Sequence, residues 1–163
     1  MRPLARAVYR TRQVAHALNP RLDDAGIEWA RGLLNAAEAQ LFFAMQRRDQ
    51  RHALEVAARL RAEGADDVDL LKAALLHDCG KGEVPVWLRI ARVVSPGFVR
   101  SAGIETSTGW RGSAYRLTHH AEIGAQLTRE AGSGEAVASL IRGHVPAGDE
   151  HRLALLMAAD DAS

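Results

Sequence analysis

Apolar residues in this chain recur three and four positions apart along most of its length, as in "LLKAALLHD" at 70–78 and "AVASLIRGH" at 136–144. They almost never alternate with polar ones. A strand buries every second side chain and a helix every third or fourth, so this pattern confines the chain to helices. Its 163 residues, 47% of them apolar, suit one domain with a sizeable core. The expected fold is therefore an all-α, single-domain helical bundle over 1–163.

Caps and breakers place the helices. A first is expected at about 4–17, stopping near Asn19-Pro20. Asp23 or Asp24 opens a second through "AGIEWARGLLN", and "AAEAQLFFAMQ" makes a third. Asp49 is read as the cap of "QRHALEVAARLRAE", which Gly64 ends, and Asp67 or Asp69 as the cap of the next. Pro85 starts "VWLRIARVV", and Pro96-Gly97 closes it. Residues 97–117 read as a long loop or two short helices, followed by helices at about 118–131, 134–144 and 150–161. No repeat or linker divides the chain, so the helices within about 4–46 should pack on the rest.

Composition narrows the setting. The net charge is only +1, so no broad nucleic-acid surface is expected. A lone Cys79 excludes an internal disulfide and fits a reducing compartment. Arginines interrupt "MRPLARAVYRTR", which lacks the apolar centre of a signal peptide, and no window reaches the length of a membrane span. These features predict a cytoplasmic protein with no membrane partner.

Against this background, ionisable residues continue several apolar stripes. Leu71, Ala74 and Leu75 lead to Asp78, and Leu70, Ala73 and Ala74 lead to His77. His120 shares a stripe with Ile123, Gly124 and Leu127, while His119 aligns with Glu122 and Gln126 and should face solvent. Val137, Leu140 and Ile141 lead to His144, and Leu153, Leu156 and Met157 lead to Asp160, whose stripe is stronger than that of Asp161. His52 lies with Val56, Leu60, Ala53 and Ala57. An unpaired carboxylate taken out of water is strongly unfavourable, and an anion at a helix C-terminus adds to the cost. One such histidine is more often a hydrogen-bonded core residue. Six such residues on five helices would each need a separate buried partner, whereas one shared metal centre satisfies them all. A nitrogen-and-oxygen set without thiolate suits Mn, Fe, Co, Ni, Zn or Mg, as one or two divalent ions.

His52, then His77-Asp78 with Gly80-Lys81, then His120 in "HHAEIGA", His144 and Asp160 resemble the HD-domain superfamily of metal-dependent phosphohydrolases, in particular the branch whose core reads H-D-I-G. The resemblance covers about 49–161. It implies a helical bundle in which His52, His77, Asp78 and Asp160 form one metal site. In two-metal members the doublet Asp bridges to a second ion, held by histidines that match His120 and His144. The resemblance puts Lys81 near the bridging water or the substrate phosphate. Cys79 stands in place of the usual Ile, and Val145 follows His144 where many relatives have another His. The glycine-tyrosine-proline signature of cyclic di-GMP phosphodiesterases is absent.

The activity so implied is hydrolysis of a phosphomonoester or phosphodiester by metal-activated water, with Asp78 and Lys81 as catalytic residues. Lys81 is the first candidate cation for substrate phosphate, followed by Arg48, Arg51 and Arg142, with Arg47 and Arg111 also considered. Each of these arginines alone reads as a solvated helix face. The small chain suits a small phosphorylated molecule or nucleotide. Di-iron oxygen activation on the same fold, an inactive metal-binding or signalling domain, and a purely structural metal site are the competing readings.

Overall fold

Side-chain caps set where the helices begin. In the computed structural model, which describes residues 23–163, Asp23 accepts from Gly26 N at 3.1 Å and opens α1 (Asp24–Leu33). Asn35 accepts from the amides of Ala37 and Glu38, and Glu38 accepts from Asn35 N, a reciprocal box that opens α2 (Ala36–Ala44). Next come α3 (Arg47–Ala62) and α4 (Val68–Leu76), the latter capped by Asp67, which accepts from Leu70 N at 2.9 Å. A 3-10 turn at Cys79–Lys81 follows at once. The remaining elements are α5 (Val86–Val94), α6 (Pro96–Ala102), α7 (Trp110–Glu130), α8 (Glu135–Arg142) and α9 (Glu150–Asp161). Among the described residues there is no strand, so the all-α expectation holds. None of these helices is long and apolar enough to cross a membrane.

Two expectations are corrected. Asp49 is not a cap: α3 starts after Gln46, and Asp49, 4% exposed, forms a bidentate ion pair with Arg89 of α5 at 3.0 and 2.7 Å. Residues 97–117, expected as a long loop or two short helices, hold one short helix and the start of a long one. Pro96 ends α5 but supplies the first position of α6, where its missing N–H leaves no bond unmade. Then α7 begins at Trp110 and runs through the expected start at 118. The helix expected at about 4–17 lies outside the described residues.

Two apolar cores follow from these faces. The larger joins Ala30, Phe42, Val56, Leu60, Leu75, Leu76, Val137, Leu140 and Leu156, and so includes α1 and α2 with the later helices. The smaller, Val84, Leu88, Val99, Ala114 and Leu117, packs α5 and α6 on the first half of α7. α7 bends between its halves at His119 (φ −111°, ψ 16°). One residue earlier, the Thr118 hydroxyl donates to Ala114 O at 2.9 Å, a back-bond that commonly bends helices.

One ionisable group lies wholly inside the larger packing. Glu38 is 0% exposed and accepts from Lys72 Nζ (2.8 Å), from Ser133 Oγ (2.8 Å) and from Asn35 N (2.8 Å), joining α2 to α4 and to the α7–α8 turn. Burial alone would raise its pKa. The Lys72 bond, then those from Asn35 and Ser133, outweigh it and hold the carboxyl below its ordinary 4.5. A carboxylate depressed in the folded state contributes stability above its unfolded pKa and loses it as pH falls through the folded value. Glu38→Ala should therefore cost about 3 kcal/mol or more in urea unfolding at pH 7, by leaving Lys72 without its partner. The gap between wild type and variant should narrow below about pH 4.5. A gap that is unchanged across that range would show that the charge is not what Glu38 contributes.

Candidate metal centre

α4 delivers His77 and Asp78 just past its last turn. Both keep right-handed helical backbone angles, so the apolar stripe of α4 carries on through them into the interior. Asp78 is 2% exposed. From α3, His52 arrives above the fully buried Ala53, Val56, Ala57 and Leu60. From α9, Asp160 places Oδ1 2.7 Å from His52 Nε2 and 3.5 Å from His77 Nε2. His77 Nε2 lies 3.4 Å from Asp78 Oδ1, and His120 Nε2, from α7, 3.9 Å from that same oxygen. His52, His77, Asp78, Asp160 and His120 thus converge, from three helices and the α4 end.

Donor chemistry suits a cation. His77 Nδ1 donates to Ala74 O (2.9 Å) and His120 Nδ1 to Leu117 O (3.2 Å), since a carbonyl can only accept; in the neutral rings both Nε2 atoms are then left as lone pairs. His77 Nε2 and Asp78 Oδ1 are both buried and have no hydrogen-bond partner. Two donors each about 2.1 Å from one ion stand roughly 3.0–3.5 Å apart at right or tetrahedral angles, the spacing that His77 makes with both carboxylates. One ligand atom each from His52, His77 and Asp78 lies within 4.8 Å of the others, so these three could hold a metal ion.

The electrostatics agree. At Asp160, the hydrogen bond from His52, with the His77 ring close by, holds the carboxyl far below its usual range. Burial opposes ionisation of Asp78, but the His77 and Lys81 charges outweigh it and lower its pKa. At His77, burial is outweighed by the two carboxylates, and the pKa rises. Burial, then the Lys81 charge, push His120 below its ordinary value, which favours the neutral ring. The Cys79 thiol is pushed up to about 12 by burial and then by Asp78, so it is inert beside the site.

Glycines make the geometry possible. A Cβ on Gly80 would lie 2.2 Å from His120 O and 2.6 Å from Gly124 N; one on Gly124 would meet Ile141 at 3.3 Å and Cys79 Sγ at 3.4 Å. The turn after the His-Asp doublet is thereby seated on the backbone of α7, beside His120.

Other expected residues fall elsewhere. His119 is exposed and lies against Tyr115, with ring centroids 4.4 Å apart, as the stripe reading required. Asp161 is exposed, so geometry favours Asp160, although Met157, expected on its stripe, is 58% exposed. The stripe reading of His144 is corrected. α8 ends at Arg142, Gly143 takes a left-handed conformation (φ 78°), and His144 N bonds Ser139 O at 3.2 Å; this cap turns the chain and leaves the side chain of His144 exposed. Lys81 Nζ sits 2.5 Å from Asp78 Oδ2. Arg47 and Arg48 are exposed, Arg51 pairs with Glu55 (2.7 Å), Arg142 with Glu122 (2.9 Å), and Arg111 stacks on Trp110. Arg92 of α5, unread in the sequence, adds its charge to the field on His120. It stands four residues after the buried Leu88, on the same side of α5, although its own side chain is exposed.

A protein-family model described as "HD domain" matches residues 50–162. Comparison with the curated proteins and with the solved structures gave no match.

His120→Ala should lower metal occupancy or metal affinity about ten-fold or more, while His119→Ala leaves both unchanged. Metal titration followed by elemental analysis measures this, and loss of metal in the His119 variant would refute the stripe geometry. Gly80→Ala should cost about 2 kcal/mol in stability, since its methyl meets backbone and not a flexible side chain, and should weaken metal binding as the turn lifts from α7. Wild-type metal affinity in that variant would show that the seat on α7 does not position the doublet.

Proposed function

The chain belongs to the HD domain family, and from that premise we propose that it is a metal-dependent phosphohydrolase acting on a small phosphorylated molecule or nucleotide. The observation that carries this reading is the pair of buried, unpartnered atoms His77 Nε2 and Asp78 Oδ1, aimed into one cluster with His52 and Asp160. A buried acceptor left unpaired is costly, and a divalent cation is the partner that suits two acceptors at once.

In this reading His52, His77, Asp78 and Asp160 hold one divalent ion, of the Mn, Fe, Co, Ni, Zn or Mg group. When bound, the ion supplies Lewis acidity that makes water a nucleophile near neutral pH. The chain does the rest. Lys81 holds Asp78 Oδ2, which fixes the carboxylate and leaves Oδ1 turned toward His77 and His120. Arg116 braces the strand of chain behind Lys81 through the carbonyls of Lys81 (3.4 Å) and Glu83 (3.3 Å). Lys81 and Arg92 supply positive charge on the His120 side, where charge develops on phosphoryl oxygens. A second ion would rest on Asp78 and His120. The exposure of His144 favours a site in which the first ion carries the chemistry.

Purified protein should carry one or two divalent transition metal ions per chain, or take them up on reconstitution, and hydrolyse a member of a phosphomonoester, phosphodiester and nucleotide panel. Asp78→Ala should reduce turnover about 100-fold or more, whereas His144→Ala should change it no more than about two-fold. No metal after reconstitution would defeat the proposal. Iron with oxygen consumption and no phosphate release would support the oxygenase reading, and metal without either activity a binding domain.

A further inference from the structure

The mini-core of α5, α6 and the start of α7 has a second face. On α5, Val86 (60%), Ile90 (59%), Val93 (84%) and Val94 (79%) are exposed, on the side opposite the buried Leu88. Trp87, Phe98 and Trp110 extend this face across α6 and α7, with Trp87 and Trp110 centroids 5.6 Å apart and Phe98 stacked on Trp110 at 6.5 Å. Scattered apolar residues on a surface are ordinary, but a contiguous aliphatic and aromatic face of this kind marks a docking surface.

Charge identifies the occupant. From Val84 to Ile104 the chain holds Arg89, Arg92 and Arg100 and no acidic residue. Arg89 is paired with Asp49, but among the described residues neither Arg92 nor Arg100 has a carboxylate partner. Arg89 stands at one flank of the apolar face, and Arg100 is exposed on α6. A second copy docked by the same face about a two-fold axis would set like charges beside each other across an acid-free interface. Residues 1–22 are no better matched, since they hold Arg2, Arg6, Arg10, Arg12 and Arg21 and no acid. For nucleic acid, the aliphatic side chains offer nothing to stack on, and the aromatic rings are turned on one another. An amphipathic helix with valine, isoleucine and tryptophan on one side and arginine on the flank suits the headgroup boundary of an anionic bilayer.

We propose that the α5–α6 face, with Trp110, seats this protein on an anionic lipid surface. The expectation of no membrane partner rested on the lack of a spanning segment, which bears on crossing a bilayer and not on lying against one. Docking here does not depend on the hydrolase reading, and its test needs no turnover.

Flotation with vesicles of phosphatidylcholine alone, or mixed with phosphatidylglycerol, measures the contact. Wild-type protein should float with the mixed vesicles, bind the neutral ones about ten-fold more weakly, and be released by added salt. Ile90→Asp with Val93→Asp should weaken binding about ten-fold or more with unchanged helical circular dichroism. Arg100→Glu, which leaves the apolar face intact, should weaken it about five-fold or more and keeps the test decisive if the double variant does not fold. No flotation with anionic vesicles, or undiminished flotation of both variants, would overturn the proposal. So would a wild-type dimer in sedimentation velocity that either variant abolishes, or single-stranded oligonucleotide binding lost in the same variants.

Discussion

The turn after His77-Asp78 lies directly on the backbone of α7, at a distance that admits no side chain at Gly80 and only close contact at Gly124. Much of the site depends on that approach. It holds the end of α4 against the helix that carries His120, so that Asp78 Oδ1 faces both His77 and His120. It also buries Cys79 against Gly124, with Sγ 3.8 Å from Gly124 O, which leaves the thiol packed and unreactive. A larger residue at Gly80 would push the turn away from α7.

Much of this was legible in the sequence because burial leaves a periodic trace. His52, His77, Asp78 and His120 each extend an apolar stripe, and their side chains gather in one place. The same rule separated His120 from its neighbour His119. It failed at His144 for a definite reason: periodicity assumes that the helix continues, and Gly143 ends α8 one residue earlier with a left-handed cap. Asp160 lies beside His52 and His77 although Met157 on the same stripe is exposed. Its position is fixed less by apolar packing than by its hydrogen bond to His52.

The stretch from 97 to 117 was harder to read for a different reason. Gly103, Gly109 and Gly112 suggested loop, but only Gly109 has a positive φ (73°), and it precedes α7. Gly103 and Gly112 are places of close approach, where a Cβ would meet Tyr115 N at 2.8 Å and Ser107 O at 2.0 Å. Single-sequence reading does not separate a glycine that turns the chain from one that lets two backbones touch. For the same reason the Arg89–Asp49 pair stayed hidden: its partners are 40 positions apart, and nothing in local spacing couples them.

The buried carboxylates of Glu38 and Asp78 sit in polar clusters that differ in one respect. Around Glu38 the carboxylate is met by Lys72, Ser133 and the Asn35 amide, three donors for one acceptor group. That network is closed, and its role is to join α2, α4 and the α7–α8 turn. Around Asp78 the account stays open: Oδ2 is taken by Lys81, while Oδ1 and the facing His77 Nε2 have no hydrogen-bond partner. Buried polar groups are nearly always satisfied in folded proteins, because each one left unpaired costs about 1–3 kcal/mol. A fold that closes one network and leaves the other open, with lone pairs converging from His77, Asp78, Asp160 and His120, bears that cost where a positively charged ligand can offset it. The contrast between the two clusters, inside the same chain and at similar depth, is what marks the second as the functional one.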